Sequence, residues 1–117
     1  MLIRSQDKRY SVNVNNVIVE TLDDEIICYH PADLAPNAYI TLGHYATEEK
    51  ASKVSDMIHE AYSDFESSKT ICTGLVSAVY TGSYDNLESI TEALKGCAAL
   101  VKEATVFQMP ADSEVEV

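Results

Sequence analysis

The chain has 117 residues, 46% of them apolar, and sets nineteen carboxylates against eight lysines and arginines for a formal net charge of −11. That length fits one domain, and the apolar share is that of a folded protein, not a disordered one. A field of this sign repels phosphate backbones and anionic headgroups, which excludes general nucleic-acid binding and docking on acidic membranes.

The first 45 residues read as short strands. Leu2 and Ile3 open one, and Ser5-Gln6-Asp7 supplies turn residues. Tyr10, Val12 and Val14 alternate with Ser11, Asn13 and Asn15, the period of two that turns one face inward. Val17, Val19 and Thr21 continue beyond an Asn15-Asn16 turn, and Ile26 to Tyr29 follow Asp23-Asp24. Short β-branched runs parted by turn pairs predict an antiparallel meander. The prolines at 31 and 36 predict a loop, and Tyr39 to Leu42 a further strand closed by Gly43.

Thr47 then caps a helix, with Glu48 and Glu49 in the first turn where the dipole favours anions. Ala51, Val54, Met57, Ile58, Ala61, Tyr62 and Phe65 recur at three- and four-residue steps, opposite Lys50, Lys53, Asp56, Glu60 and Asp64. Ser67-Ser68 predicts the end of that helix, and Thr70 to Tyr80 fits either a helix or a strand. Ser83 can cap a second helix whose face is Leu87, Ile90, Leu94, Cys97 and Val101, weakened near Gly96. Val106 and Phe107 suit a last strand. The expected fold is α+β: an antiparallel sheet of about five or six strands packed by one amphipathic helix plus a second, C-terminal helix. Residues 1–110 make a single domain, and 111–117 (ADSEVEV) an acidic flexible tail.

Catalytic chemistry is sparse. Cys28, Cys72 and Cys97 are far apart, without a C-x-x-C pair, and suit small core hydrophobes in a reducing cytoplasm. The charged start MLIRSQDKRY is unlike a secretory signal, and no apolar run nears the roughly 20 residues that span a bilayer. Cys28 and His30 stand two apart while His44 and His59 are remote, so no metal set is predicted. No serine or cysteine sits in a recognisable nucleophile context, and there is no GxGxxG or Walker loop. The residues therefore read as a non-catalytic protein with no cofactor.

One stretch suits a ligand. Thr81-Gly82-Ser83 leads into a helix whose N-terminus offers backbone N–H groups and a positive dipole end to an anion. Tyr80 and Tyr84 flank the turn with aromatic faces that stack on a nucleobase, and Asn86 adds an amide. Asp85 and Glu88 already satisfy the same dipole, so a plain capped helix start is the competing reading.

Ile3-Arg4-Ser5-Gln6-Asp7, the run Leu42 to Ala51 (LGHYATEEKA) with Val54 and Ile58, and Val106-Phe107-Gln108-Met109-Pro110 bracket nearly the whole chain. In this layout the chain resembles small proteins of phages, prophages and mobile elements of Gram-positive bacteria. Among these it looks like the first Thoeris anti-defence family. The resemblance implies an N-terminal antiparallel sheet followed by helices, and assembly into homo-oligomers in the host bacterial cytoplasm. It also implies sequestration, without degradation, of the cyclic ADP-ribose-type signals made by TIR-domain enzymes.

A ligand with two phosphates needs local positive charge, and the candidates are Arg4, Arg9, Lys50, Lys53, Lys69, Lys95 and Lys102. Arg4 leads, because a guanidinium can grip a phosphate with two parallel bonds. The expected ligand-binding set is Arg4, Lys53, Tyr80, Thr81, Gly82, Ser83, Tyr84 and Asn86, with Tyr84 stacking and the 81–83 turn facing phosphate. The alternative is an acidic protein-binding inhibitor that imitates nucleic acid on a basic host nuclease, in the manner of an anti-CRISPR protein. Self-association is expected in addition, since Ile71, Leu75, Val76 and Val79 exceed what one helix and one sheet need to bury.

Overall fold

Six short strands and two helices form from the segments whose periodicity predicted them, and the class is α+β. The computed structural model describes residues 1–32, 38–80, 82 and 87–117. They divide into one unit of Met1–Glu60 with Val106–Val117 and a second of Ala61–Thr105. The first unit holds β1 (Leu2–Arg4), β2 (Ser11–Asn13), β3 (Ile18–Leu22), β4 (Glu25–Tyr29), β5 (Ile40–His44) and β6 (Val106–Gln108).

These strands make two sheets of three, β2-β1-β6 and β3-β4-β5, where alternation alone had suggested one. The division falls at Asn13. Its side-chain Oδ1 accepts the Asn15 N–H and its carbonyl accepts the Asn16 N–H, so β2 stops after three residues and the chain leaves the first sheet. The second departure is that β6 runs parallel to β1, in register from Leu2 opposite Val106 to Arg4 opposite Gln108. Parallel neighbours require a long crossover, and here everything from β2 to the last helix supplies it.

The β3-β4-β5 meander turns at Asp23-Asp24, where Asp23 adopts a φ of +53° that a short polar side chain tolerates. Strand β4 is central, and Ile26, Ile27 and Cys28 are all buried. Gly43 does not close β5 but lies inside it. A Cβ there would stand 2.9 Å from both Met109 Cε and Tyr45 Oη, so only glycine allows this approach.

Helix α1 spans Glu48–Tyr80. The Thr47 hydroxyl accepts the Lys50 N–H at 3.2 Å, the expected cap. Ala51, Val54 and Ile58 are buried in the first unit. The helix continues through Ser67-Ser68, and the hydroxyls of Thr70 and Thr73 bond back to the Glu66 and Lys69 carbonyls at 3.0 and 2.9 Å. Residues that suggested a strand are thus accommodated in a helix.

The second unit comprises Ala61–Tyr80 of α1 together with α2 (Leu87–Ala104). Ala61, Phe65, Ser68, Cys72 and Leu75 form the covered stripe of α1, and Ile90, Ala93, Cys97, Val101 and Ala104 that of α2. Both repeat at three- and four-residue steps, as paired helices require. Leu94, assigned to the inner face by the sequence, is 43% exposed, and small residues take its place. Among the described residues no helix is long and apolar enough to cross a membrane.

Candidate functional site

The three segments that looked like a pattern in the sequence meet in space, through one loop and two glutamines. The Gln6 backbone N–H donates to the Leu42 carbonyl at 2.7 Å, its Oε1 accepts the His44 N–H at 3.0 Å, and its Nε2 donates to the Pro110 carbonyl at 3.1 Å. Gln108 Nε2 returns the tie, donating to the carbonyls of Ser5 and Met109 at 3.0 Å each. The Ser5 hydroxyl donates to Asp7 Oδ1 at 2.6 Å and accepts the Tyr10 N–H at 3.0 Å, closing the loop around Lys8 with its φ of +65°. Tyr45, 1% exposed, donates its hydroxyl to the Pro110 carbonyl at 3.0 Å.

Asp112 completes this hub. It accepts the Ala46 N–H at 2.6 Å and the Lys50 ammonium at 3.1 Å, and Lys50 also donates to the Asp112 carbonyl at 3.0 Å. The Ala46 N–H, then Lys50, hold the Asp112 carboxyl below its ordinary value of 3.8, and the Ser5 hydroxyl and Arg9 N–H do the same for Asp7. A depressed carboxylate stabilises the folded state above its ordinary value, and that contribution is lost as pH falls through the lowered one. Acid unfolding should therefore begin as pH falls below about 4, the unperturbed aspartate range. Asp112→Asn should lower stability at pH 7 and flatten that acid limb when followed by circular dichroism; an unchanged limb would contradict the assignment. Among the described residues no buried side-chain nitrogen or oxygen lacks a partner. The motif segments hold the first unit together.

Of the ligand-binding set chosen from the sequence, Arg4 and Lys53 belong to the first unit and Tyr80 and Gly82 to the second. Arg4 lies on β1, exposed and without an ion-pair partner among the described residues. Ile3 faces Val12 across the strand pair, so pleat alternation puts Arg4 on the opposite face of that sheet. Lys53, on α1, donates its ammonium to the Glu116 carbonyl and so holds the C-terminal segment. Tyr80 ends α1 in the second unit, and Gly82 is exposed with a φ of +76°. Thr81, Ser83, Tyr84 and Asn86 lie outside the described residues.

Sequence reading missed a cleft of about 420 Å³ in the first unit, lined by Val12, Val17, Cys28, Tyr29, His30, Ala38, Tyr39 and Ile40. Its walls come from β2 of one sheet and from β4 and β5 of the other. The volume lies in the range of small-molecule sites, and such sites are apolar with few placed polar groups. The Tyr29 hydroxyl donates to Glu20 Oε1 at 2.6 Å, which fixes the ring, and that hydrogen bond raises its pKa. His30 Nδ1 accepts the Ala32 N–H at 3.1 Å, so in its neutral form the imidazole carries its proton on Nε2. Burial pushes the Cys28 thiol upward, which keeps it protonated and inert. Tyr39 is 38% exposed and Ile40 40%, so ring and aliphatic surface are open to an incoming molecule. Neither Arg4 nor Lys53 lines this cleft. The signal that could have found it is Cys28-Tyr29-His30 ending one strand and Tyr39-Ile40 opening the next.

Among the described residues no three His, Cys, Asp or Glu side chains are grouped to hold a metal. Comparison with family models, with curated proteins and with solved structures finds no match.

Proposed function

We propose that the protein is a non-catalytic binder that sequesters a small cyclic nucleotide signal, of the cyclic ADP-ribose or cyclic oligonucleotide type, in a bacterial cytoplasm. The observation that carries this reading is the cleft between the two sheets. Tyr29 and Tyr39 offer ring faces to a base, Val12, Val17 and Ile40 offer aliphatic surface, and the His30 Nε2–H offers one donor to an acceptor on its edge. Among the described residues no Lys or Arg belongs to the lining, so the base enters and the phosphates stay at the solvent side. The resemblance of the sequence layout to the first Thoeris anti-defence family suggests sequestration as the biological use. Isothermal titration with cyclic ADP-ribose isomers and small cyclic oligonucleotides tests it. Binding to one of them, with the ligand recovered intact after heating, is the expected result; no heat with any overturns the reading.

We take the working form to be a homo-oligomer. In the second unit Ile71 is 61% exposed, Val76 39%, Leu94 43% and Leu100 47%, apolar surface that a second copy could cover. Sedimentation velocity should show a concentration-dependent oligomer, and Ile71→Glu with Leu100→Glu should convert it to a monomer. A wild-type monomer at every concentration would contradict this.

A second reading, an acidic inhibitor of a basic host protein, is favoured by the net charge of −11 and by the exposed Asp56 and Glu60 on α1. It predicts capture of a basic nuclease that weakens steeply with salt, whereas uptake of a base into an apolar cleft depends little on salt.

A further inference from the structure

The covered faces of α1 and α2 carry a thiol each, near the middle of the second unit, and the two thiols are neighbours. The Cys72 Sγ donates to the Cys97 carbonyl on the other helix at 3.6 Å. A side chain only two atoms long reaches a facing backbone carbonyl only where the helices approach closely. The flanking positions permit that approach, being Ser68 on one stripe and Ala93 on the other. Cys97 is 9% exposed, while Cys72 is half-buried and open to small solutes.

We infer that Cys72 and Cys97 are an oxidative modification site, forming a reversible disulfide that staples α1 to α2. The inference rests on the second unit alone and is independent of the signal-binding cleft. Hydrogen peroxide serves as the two-electron oxidant. The Cys72 thiolate attacks one peroxide oxygen, the O–O bond breaks, and a sulfenic acid and one water result. The Cys97 thiolate then attacks the sulfenic sulfur, the S–O bond breaks, the S–S bond forms, and the departing hydroxide takes up the Cys97 proton as a second water, the Cys72 proton having gone into the first. A disulfide demands Cα atoms within about 7 Å of each other, and the Cys72 thiol already reaches the Cys97 backbone across the two helices. The Cys97 side chain, and then burial, raise the Cys72 pKa, so the first step accelerates as pH rises above neutrality.

The test uses the wild-type protein, so it depends on no variant folding. After peroxide and alkylation, trypsin should release the Thr70–Lys95 and Gly96–Lys102 peptides as one linked species, which a reductant separates. Faster linkage at higher pH and a monomeric band on a non-reducing gel are expected with it. Cys72 found as sulfinic acid without the linked pair, or linkage only between separate chains, would overturn the inference. Cys72→Ser and Cys97→Ser should each abolish the linked species.

Discussion

Tyr45→Ala should destabilise the fold by about 4 kcal/mol, the range for emptying a buried aromatic position. The ring is 1% exposed and stands against the Gly43 backbone, and its hydroxyl shares the Pro110 carbonyl with Gln6. Tyr45→Phe keeps the ring and removes one of those two bonds, so about 1 kcal/mol is expected. Denaturant titration of both variants separates packing from hydrogen bonding; a loss below about 1 kcal/mol for the alanine variant would show that the ring fills no essential space. The same residue governs the alkaline limit. Burial, then the charges of Asp112 and Glu114, push its pKa from 10.0 up to about 12. The neutral phenol thus stabilises the fold fully below pH 10, and this is lost as pH rises toward 12. Tyr45→Phe should remove that alkaline loss.

Tyr39→Ala should weaken binding of the signal by about 10- to 100-fold, since stacking of one base on one ring contributes roughly 1–3 kcal/mol. Tyr39→Phe keeps the ring face and should bind within about threefold of wild type, a change below about 1 kcal/mol. The informative contrast is Arg4→Ala. Arg4 is on the far face of its sheet from Val12, so its loss should leave affinity nearly unchanged. Titration calorimetry on the three variants decides the location. Strong dependence on Arg4 with none on Tyr39 would move the site away from the cleft while leaving sequestration itself standing.

What the sequence disclosed follows a physical line between local and distant causes. Strand periods at Tyr10–Val14 and Ile26–Tyr29 and the stripe beginning at Ala51 depend on neighbours two to four residues away, and they could be read directly. Sheet membership could not, because β1 chooses β6 across 104 positions, Leu2 to Val106, and no local period records that choice. The helix end at Ser67-Ser68 failed for a related reason: hydroxyls that stop some helices can instead bond to their own preceding turn, as Thr70 and Thr73 do. The motif segments were visible as a pattern but not as a function. Gln6 looks like an ordinary turn residue until His44 and Pro110 are brought to its two ends. The cleft escaped because Tyr29 and Tyr39 read as strand residues, and only the placing of two separate sheets opens a space between them.

The parallel pairing of β1 with β6 also sets an order of events during synthesis. Strand β1 can meet β2 as soon as residue 13 is made, but its second edge stays bare until residue 108 appears. Throughout that interval the nascent chain presents an unpaired apolar strand edge, the kind of surface on which chains misassociate. Helices, which need only local contacts, can form in the meantime, while closure of the first sheet is a late, long-range step. The yield of folded protein should thus depend more on how quickly the last dozen residues find β1 than on anything in the helices, and a ribosome stalled before Val106 would hold a chain that cannot finish folding.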